Sequence, residues 1–278
     1  MRSDDYLSRL ARGASQPGVR STTGQVLLHA LTPLGIVATV MQIAGTTGQY
    51  LALGAAGLLG VLWGVHRLAL PASRTIRLPN IGSRIVVRTG DLLAEPSHKV
   101  VAVGELFDWE IGDRVSRSSL QGQCIFRLFN GDGAKFRDQV DGALRAQGEA
   151  GIIWRDGERL RFPIGTTAVL DTPPHRLFLP ALTHSDVDNN WKASASPVDL
   201  WTTLDSLWRS VRIRANGEPV AIPVIGSGLA NVGLPPASVL HFIIQSFVKA
   251  SSEARVTEQL TIVLTDALYS AVDLRCLG

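Results

Sequence analysis

The sequence predicts an α/β protein, a mixed but mainly parallel sheet with helices on both faces, preceded by a two-helix apolar hairpin. Three observations point there. First, a β-branched run at 219–225, a helical stretch opened by Pro235 and reaching about 250, and a second apolar run at 260–264 follow one another. That is the pattern of parallel strands joined by helices. Second, a glycine-rich loop, Gly226-Ser-Gly-Leu-Ala-Asn-Val-Gly233, connects the first two of these and is followed by Pro235. Third, no Asp, Glu, Lys or Arg occurs between Ser21 and His66.

The 278 residues suffice for one ordinary domain plus an additional segment. The formal net charge of +3 is slight and no long basic block occurs, so nucleic acid is not an expected partner. Cys124 and Cys276 are too few for a disulfide framework and lack metal-ligand spacing. They suit a reducing compartment and predict no zinc site.

Residues 1–24 form a polar arm with Arg2, Arg9, Arg12 and Arg20. Residues 25–68 are expected to be a transmembrane hairpin, with spans at 26–44 and 49–65 around the uncharged turn Gly45-Thr-Thr-Gly48. Each span approaches the roughly 20 residues that cross a bilayer. Arg12 and Arg20 precede the pair, and Arg67, Arg74 and Arg77 follow it, which predicts cytoplasmic outer ends. The expected localisation is therefore the inner cell membrane, multi-pass, with residues 75–278 as a cytoplasmic domain and lipid as a partner. Ala56, Gly60 and Gly64 at four-residue spacing predict close helix packing between copies, hence a homo-oligomer.

Within 75–278 a basic strand is expected at 84–88, followed by the turn Gly90-Asp91-Leu92. A strand at 99–103 leads into a polar segment from Gly104 through Gln123. Phe136, Val140 and Leu144 at spacing four predict a helix over 132–147. Arg155-Asp-Gly157 marks a hairpin turn between strands 151–154 and 160–163. Strands at 167–170 and 176–182 precede a polar loop, Thr183 to Trp191. Leu200, Leu204, Leu207 and Val211 share one face of a helix over 197–211.

Four polar loops thus fall at strand ends, where open α/β sheets hold ligands. Two readings fit the glycine loop. Free N–H groups before a helix N-terminus make an anion cradle suited to a diphosphate; alternatively the glycines are a plain strand-to-helix connection. The loop is not a Walker motif, since no Lys-Ser/Thr pair follows the glycines. His184 and Asp186 resemble fragments of catalytic sets, but no nucleophile signature such as G-x-S-x-G accompanies them.

The Gly90-Asp91-Leu92 turn after the first strand resembles the start of a macro domain, in which the carboxylate holds an adenine amino group. Ile225-Gly-Ser-Gly-Leu-Ala-Asn-Val-Gly233 resembles the macro-domain loop that wraps the diphosphate of ADP-ribose. Together with Phe107-Asp108, Ser119-Leu-Gln-Gly-Gln123 and Pro163-Ile-Gly-Thr-Thr167, these are similar to one divergent branch: the membrane-anchored effector of type II Thoeris anti-phage defence. The resemblance implies a macro-domain-like fold and a sensor that turns nothing over. Its signal would be an ADP-ribose derivative, histidine–ADP-ribose, made by a partner TIR enzyme. Binding would drive self-association, membrane disruption and abortive infection.

The implied ligand residues are Asp91 and Leu92 at the base, and Gly226, Ser227, Gly228, Leu229, Ala230 and Asn231 at the diphosphate. Asp266 and Tyr269 would lie near the adenine or proximal ribose, and Asp108, Ser119, Gln123, Thr166 and Asp186 along the rest of the pocket. No catalytic residue, metal or cofactor is implied. Gly104-Glu105-Leu106 stands where many ADP-ribose-binding macro domains carry asparagines, so the distal end of the pocket departs from theirs. The alternative is a membrane-tethered ADP-ribosyl hydrolase.

Overall fold

A computed structural model describes residues 57–60, 73–112, 114–145, 151–154, 158–186, 188–189, 191–228, 232–272 and 274. The chain divides into two compact units, Thr75–Leu268 and a second formed by Met1–Arg74 with Tyr269–Gly278.

The strands are β1 (Ser73–Leu78), β2 (Ser83–Thr89), β3 (His98–Val100), β4 (Val103–Gly104), β5 (Gly151–Trp154), β6 (Glu158–Arg161), β7 (Thr167–Thr172), β8 (His175–Asp186), β9 (Lys192–Ser194), β10 (Val220–Pro223) and β11 (Gln259–Leu264). The helices are α1 (Leu120–Leu128), α2 (Gly133–Leu144), α3 (Pro197–Arg214), α4 (Pro236–Glu253) and α5 (Asp266–Ala271), with a 3-10 turn at Leu92–Ala94.

The large sheet runs β1-β2-β11-β10-β3-β8-β4, with β7 and β9 also paired to β8. β2, β11, β10, β3 and β8 are mutually parallel, in the registers Ile85↔Leu260, Leu260↔Val220, Val220↔His98 and Lys99↔Leu177. β7 lies antiparallel to β8, with Val169 opposite Phe178. Consecutive apolar residues such as Ala221-Ile222 in β10 and Ile262-Val263 in β11 are buried on both sides of the sheet, as expected for parallel strands covered by helices.

One face of β8, Leu177, Leu179 and Ala181, packs in a core with Cys124 and Ile125 of α1 and with Phe136, Val140 and Leu144 of α2. Alternate residues of a strand point the other way; α3 packs against β8, and α4 packs against α3. There Trp208 is fully buried, stacks edge-on against Phe247 at 5.3 Å, and donates from Nε1 to Ser246 Oγ at 2.9 Å. α3 begins where the sequence places a complete capping box: Ser196 and Asp199 bond each other's backbone N–H, and Pro197 occupies the first turn.

Three expectations change. α1 begins inside the polar segment that ends at Gln123 and runs on to Leu128. Ser119 caps it, and Leu120, Cys124 and Leu128 repeat at spacing four, a pattern masked by Gln121, Gly122 and Gln123. The strand expected at 99–103 is interrupted, with Val101 N bonded to Phe178 O before pairing resumes at Val103. The edge strands β1 and β9 are additional.

The membrane placement is corrected. Among the described residues no helix is long and apolar enough to cross a membrane, so the expected multi-pass inner-membrane localisation is not supported. Of the expected hairpin, only residues 57–60 are described, and they are helical. The remainder of 25–68 lies outside the described residues. A charge-free run measures hydropathy, and hydropathy alone does not establish a spanning helix.

Candidate ligand-binding site

The glycine loop leaves the carboxyl end of β10. Val224 and Ile225 are buried, then Gly226 takes φ +86°. A Cβ at Gly226 would lie 2.5 Å from Val232 Cγ2, so only glycine fits both the space and the angle. Val232 N donates to Gly226 O at 3.1 Å and closes the loop. Ser227 Oγ donates to Val224 O at 2.6 Å, which commits its proton to the loop. Gly228 differs: a Cβ there would meet nothing within 4 Å among the described residues. Leu229, Ala230 and Asn231 lie outside the described residues. The helix that follows, α4, has Pro235 as N-cap and no side-chain cap bond; Pro236 lacks an N–H, and Ser238 and Val239 N–H donate to Pro235 O.

Asp91 follows β2. Its Oδ1 accepts from Leu93 N at 3.0 Å, and its Oδ2 pairs with Arg127 Nη1 at 2.7 Å. Partial burial acts to raise its pKa, but the hydrogen bond from Arg127 and those from Leu93 and Ala94 N–H outweigh it. The carboxyl is held below its ordinary range. Half of the side chain stays exposed. Leu92 is buried in the core, so it can offer a ligand only its backbone. Arg127 carries no expectation from the sequence, which marks no element over 124–131.

The residues expected along the rest of the pocket form turns and caps. Ser119 Oγ accepts from Gly122 N at 3.0 Å and donates to Ser116 O at 2.6 Å, capping α1. Gln123 Nε2 donates to Ser118 O at 3.0 Å, and Gln121 Nε2 to Asp108 O at 2.6 Å. Thr166 O accepts from Ala181 N at 2.8 Å, and Asp186 Oδ1 accepts from Asp188 N at 3.2 Å beside the β8–β9 hairpin. Short polar side chains at chain reversals satisfy nearby N–H groups first.

His184 meets Glu105 and Asp199 rather than Asp186. Its Nδ1 lies 3.2 Å from Glu105 Oε2 and its Nε2 3.3 Å from Asp199 Oδ1. Glu105 is 2% exposed, and its other oxygen accepts from Arg161 Nη1 at 2.7 Å and Ser185 N at 2.9 Å. Burial acts to raise the Asp199 pKa, while hydrogen bonds from Ser196 and the contact with His184 prevail and lower it. Asp266 is exposed directly beyond β11. Tyr269, also on α5, belongs to the second compact unit and is buried.

Asp91, Asp266, Gly226 and His184 thus leave the carboxyl ends of β2, β11, β10 and β8. In the sheet order these strands, with β3, span four inter-strand spacings, roughly 19 Å at about 4.8 Å each. The glycine loop is in the middle, Asp91 at one end and the Glu105–His184 cluster at the other.

At the amino edge, His98, His175 and Glu218 bring ligand-type atoms within 4.8 Å of one another. His98 Nδ1 accepts from Arg176 N at 2.8 Å, which leaves the proton of the neutral ring on Nε2, 3.3 Å from Glu218 Oε2. A cation would have to displace that proton, so the chemistry here is that of a hydrogen-bonded pair. Burial is the main cause that lowers the His98 pKa, against the pull of Glu218. A surface hollow at the same edge, lined by Arg212, Gly217, Glu218 and Glu258, faces away from the glycine loop.

A family model described as Thoeris protein ThsA, Macro domain, matches residues 85–265. No curated protein matches the chain. Among solved structures, a macrodomain of Oceanobacillus iheyensis with ADP is 12% identical, covering 72% of this chain and 92% of its own, with a TM-score of 0.48. A macrodomain of Trypanosoma brucei is 11% identical, covering 74% of this chain and 72% of its own, with a TM-score of 0.46.

Proposed function

Because this chain belongs to the Thoeris protein ThsA macro-domain family, we propose that it is an anti-phage sensor that binds an ADP-ribose-type nucleotide without turning it over. The base lies at Asp91 and the Leu92 backbone. The diphosphate lies on the N–H groups of 226–231, and the distal group lies toward Glu105, His184 and Asp199. Asp266 flanks the base and proximal ribose. The signal is histidine–ADP-ribose made by a TIR enzyme. Its binding drives self-association of the chain and arrest of the infected cell.

The observation that carries this reading is the order of the loops. The glycine loop follows β10, with Asp91 after β2 two strands away on one side and the Glu105–His184 cluster at β8 two strands away on the other. That order matches base, diphosphate and distal substituent.

The test is calorimetry of the chain with ADP-ribose and with its histidine conjugate. Gly228→Leu is expected to abolish binding, because its side chain would enter the space left for phosphate. Undiminished affinity in a folded variant would make the loop a plain connection. A second reading, ADP-ribosyl hydrolysis, draws on one observation: the half-exposed His184 is oriented by the buried Glu105. Chromatography of the incubated ligand separates the two. Intact recovery supports the sensor; steady release of ADP-ribose that disappears in His184→Ala supports the hydrolase.

A further inference from the structure

We infer that Arg127 is a specificity-determining residue of the base subsite, which with Asp91 selects a 6-aminopurine over a 6-oxopurine. The inference rests on the reading of Asp91 as the base contact. Arg127 stands in the last turn of α1, a helix anchored by the Ser119 cap and by buried Cys124 and Ile125. Its guanidinium is therefore delivered from a rigid element. Nη1 holds Asp91 Oδ2 at 2.7 Å while Leu93 N holds Oδ1 at 3.0 Å.

A carboxylate has about four acceptor sites. Three are used here, by Arg127, Leu93 and Ala94, and the side chain is 50% exposed, so capacity remains for a base. Pinned in this way and kept ionised by the adjacent cation, the carboxylate can only accept. The amino group of adenine offers it an N–H. The oxygen of hypoxanthine offers lone pairs, and the two repel.

Arginine carries five N–H donors and does not deprotonate, so its unused donors lie beside the carboxylate. N1 of adenine is an acceptor and suits a donor there. N1 of hypoxanthine carries a proton and does not. The pair thus presents acceptor and donor side by side, complementary to the amino-purine edge at both positions. Without such a role, Arg127–Asp91 would be a surface pair of small consequence.

The experiment measures affinities of the chain for ADP-ribose and for its hypoxanthine analogue by calorimetry, in wild type, Arg127→Met and Arg127→Lys. Thermal melts check that each variant folds. Wild type is expected to prefer adenine by about tenfold or more, since a site built to bond a donor rejects the analogue lacking it. Arg127→Met is expected to cut that preference by at least about fivefold. Arg127→Lys, a point charge without the planar fork, should retain only part of it. An unchanged ratio in folded Arg127→Met, or equal loss of both ligands, overturns the assignment, because a structural role would weaken both alike. Failure of wild type to bind either nucleotide overturns the reading of Asp91 and the assignment with it.

Discussion

The two edges of the parallel sheet are built on opposite terms. At the amino edge, most of the polar groups are spent on one another, although His175 Nδ1 is buried without a partner among the described residues. His98 is held between Arg176 N–H and Glu218. Ser83 Oγ donates to Thr257 O at 2.7 Å, Thr257 Oγ1 donates to the carbonyls of Gly217 and Glu218, and Arg212 Nη2 donates to Ala250 O at 2.6 Å. At the carboxyl edge, capacity is left over. Asp91 keeps half its surface, Gly228 faces open space, and His184 is 46% exposed between two carboxylates. Polar groups without internal partners are stable only where water or a ligand can reach them. The comparison teaches that stability is concentrated at one edge and binding capacity at the other. Substitutions at the two edges should therefore separate folding from ligand affinity.

The largest effect tests a carboxyl-edge position that belongs to folding. Gly226→Val places a branched side chain at φ +86° and against Val232. Backbone strain and overpacking together should cost about 2–4 kcal/mol. A urea melt reads this as a lowered midpoint. A midpoint within error of wild type would show that the loop relaxes freely and that its shape is not set by packing.

Thr257→Val at the amino edge comes next. It strands the Glu218 carbonyl, while Gly217 O keeps the Glu258 N–H, and should cost roughly 1–3 kcal/mol, with ADP-ribose affinity unchanged. A loss of affinity as large as the loss of stability would break the separation between the edges.

A smaller effect lies in pH. The folded-state pKa of His98 is depressed, chiefly by burial. As pH falls through about 6.5, the ordinary histidine value, the unfolded chain takes up a proton that the folded chain refuses. Stability is thus fully present above about 6.5 and declines below it, until the depressed folded value is reached. Thermal melts between pH 7.5 and 5 (a window chosen about that ordinary value) should show a shallower decline in His98→Gln than in wild type. Parallel curves would mean that His98 carries no linkage.

The smallest effect on folding belongs to Gly228→Leu. Its Cβ meets nothing within 4 Å among the described residues, so its melting midpoint should stay within about 0.5 kcal/mol of wild type while ligand binding is lost. A clear destabilisation would place Gly228 with Gly226, as part of the loop's own architecture.

Much of the carboxyl edge was legible in the sequence because its signals are local. Gly226 and Gly233 announce positive φ by being glycine. Asp91 stands directly after a β-branched run, and the capping box at Ser196 and Asp199 lies within four residues. The periodicities of α2, α3 and α4 could be read directly from spacing. α1 was missed because polar residues and a glycine fill its first turns, although Ser119 and the Leu120–Cys124–Leu128 spacing were available as signals.

By itself, then, the sequence determined the mainly parallel α/β class, the glycine loop and its neighbouring strand and helix, and the residues placed at strand ends. Each follows from backbone sterics or from a periodicity within one segment. Only the tertiary structure decided which of those residues meet. Arg127 reaches Asp91 across 36 positions, and His184 bonds Glu105 across 79 rather than Asp186 two residues away. Tertiary structure also decided that Gly226 is enclosed while Gly228 is open. Such pairings depend on strand order and helix docking, which many residues fix jointly through burial, and no short stretch of chain carries that information alone.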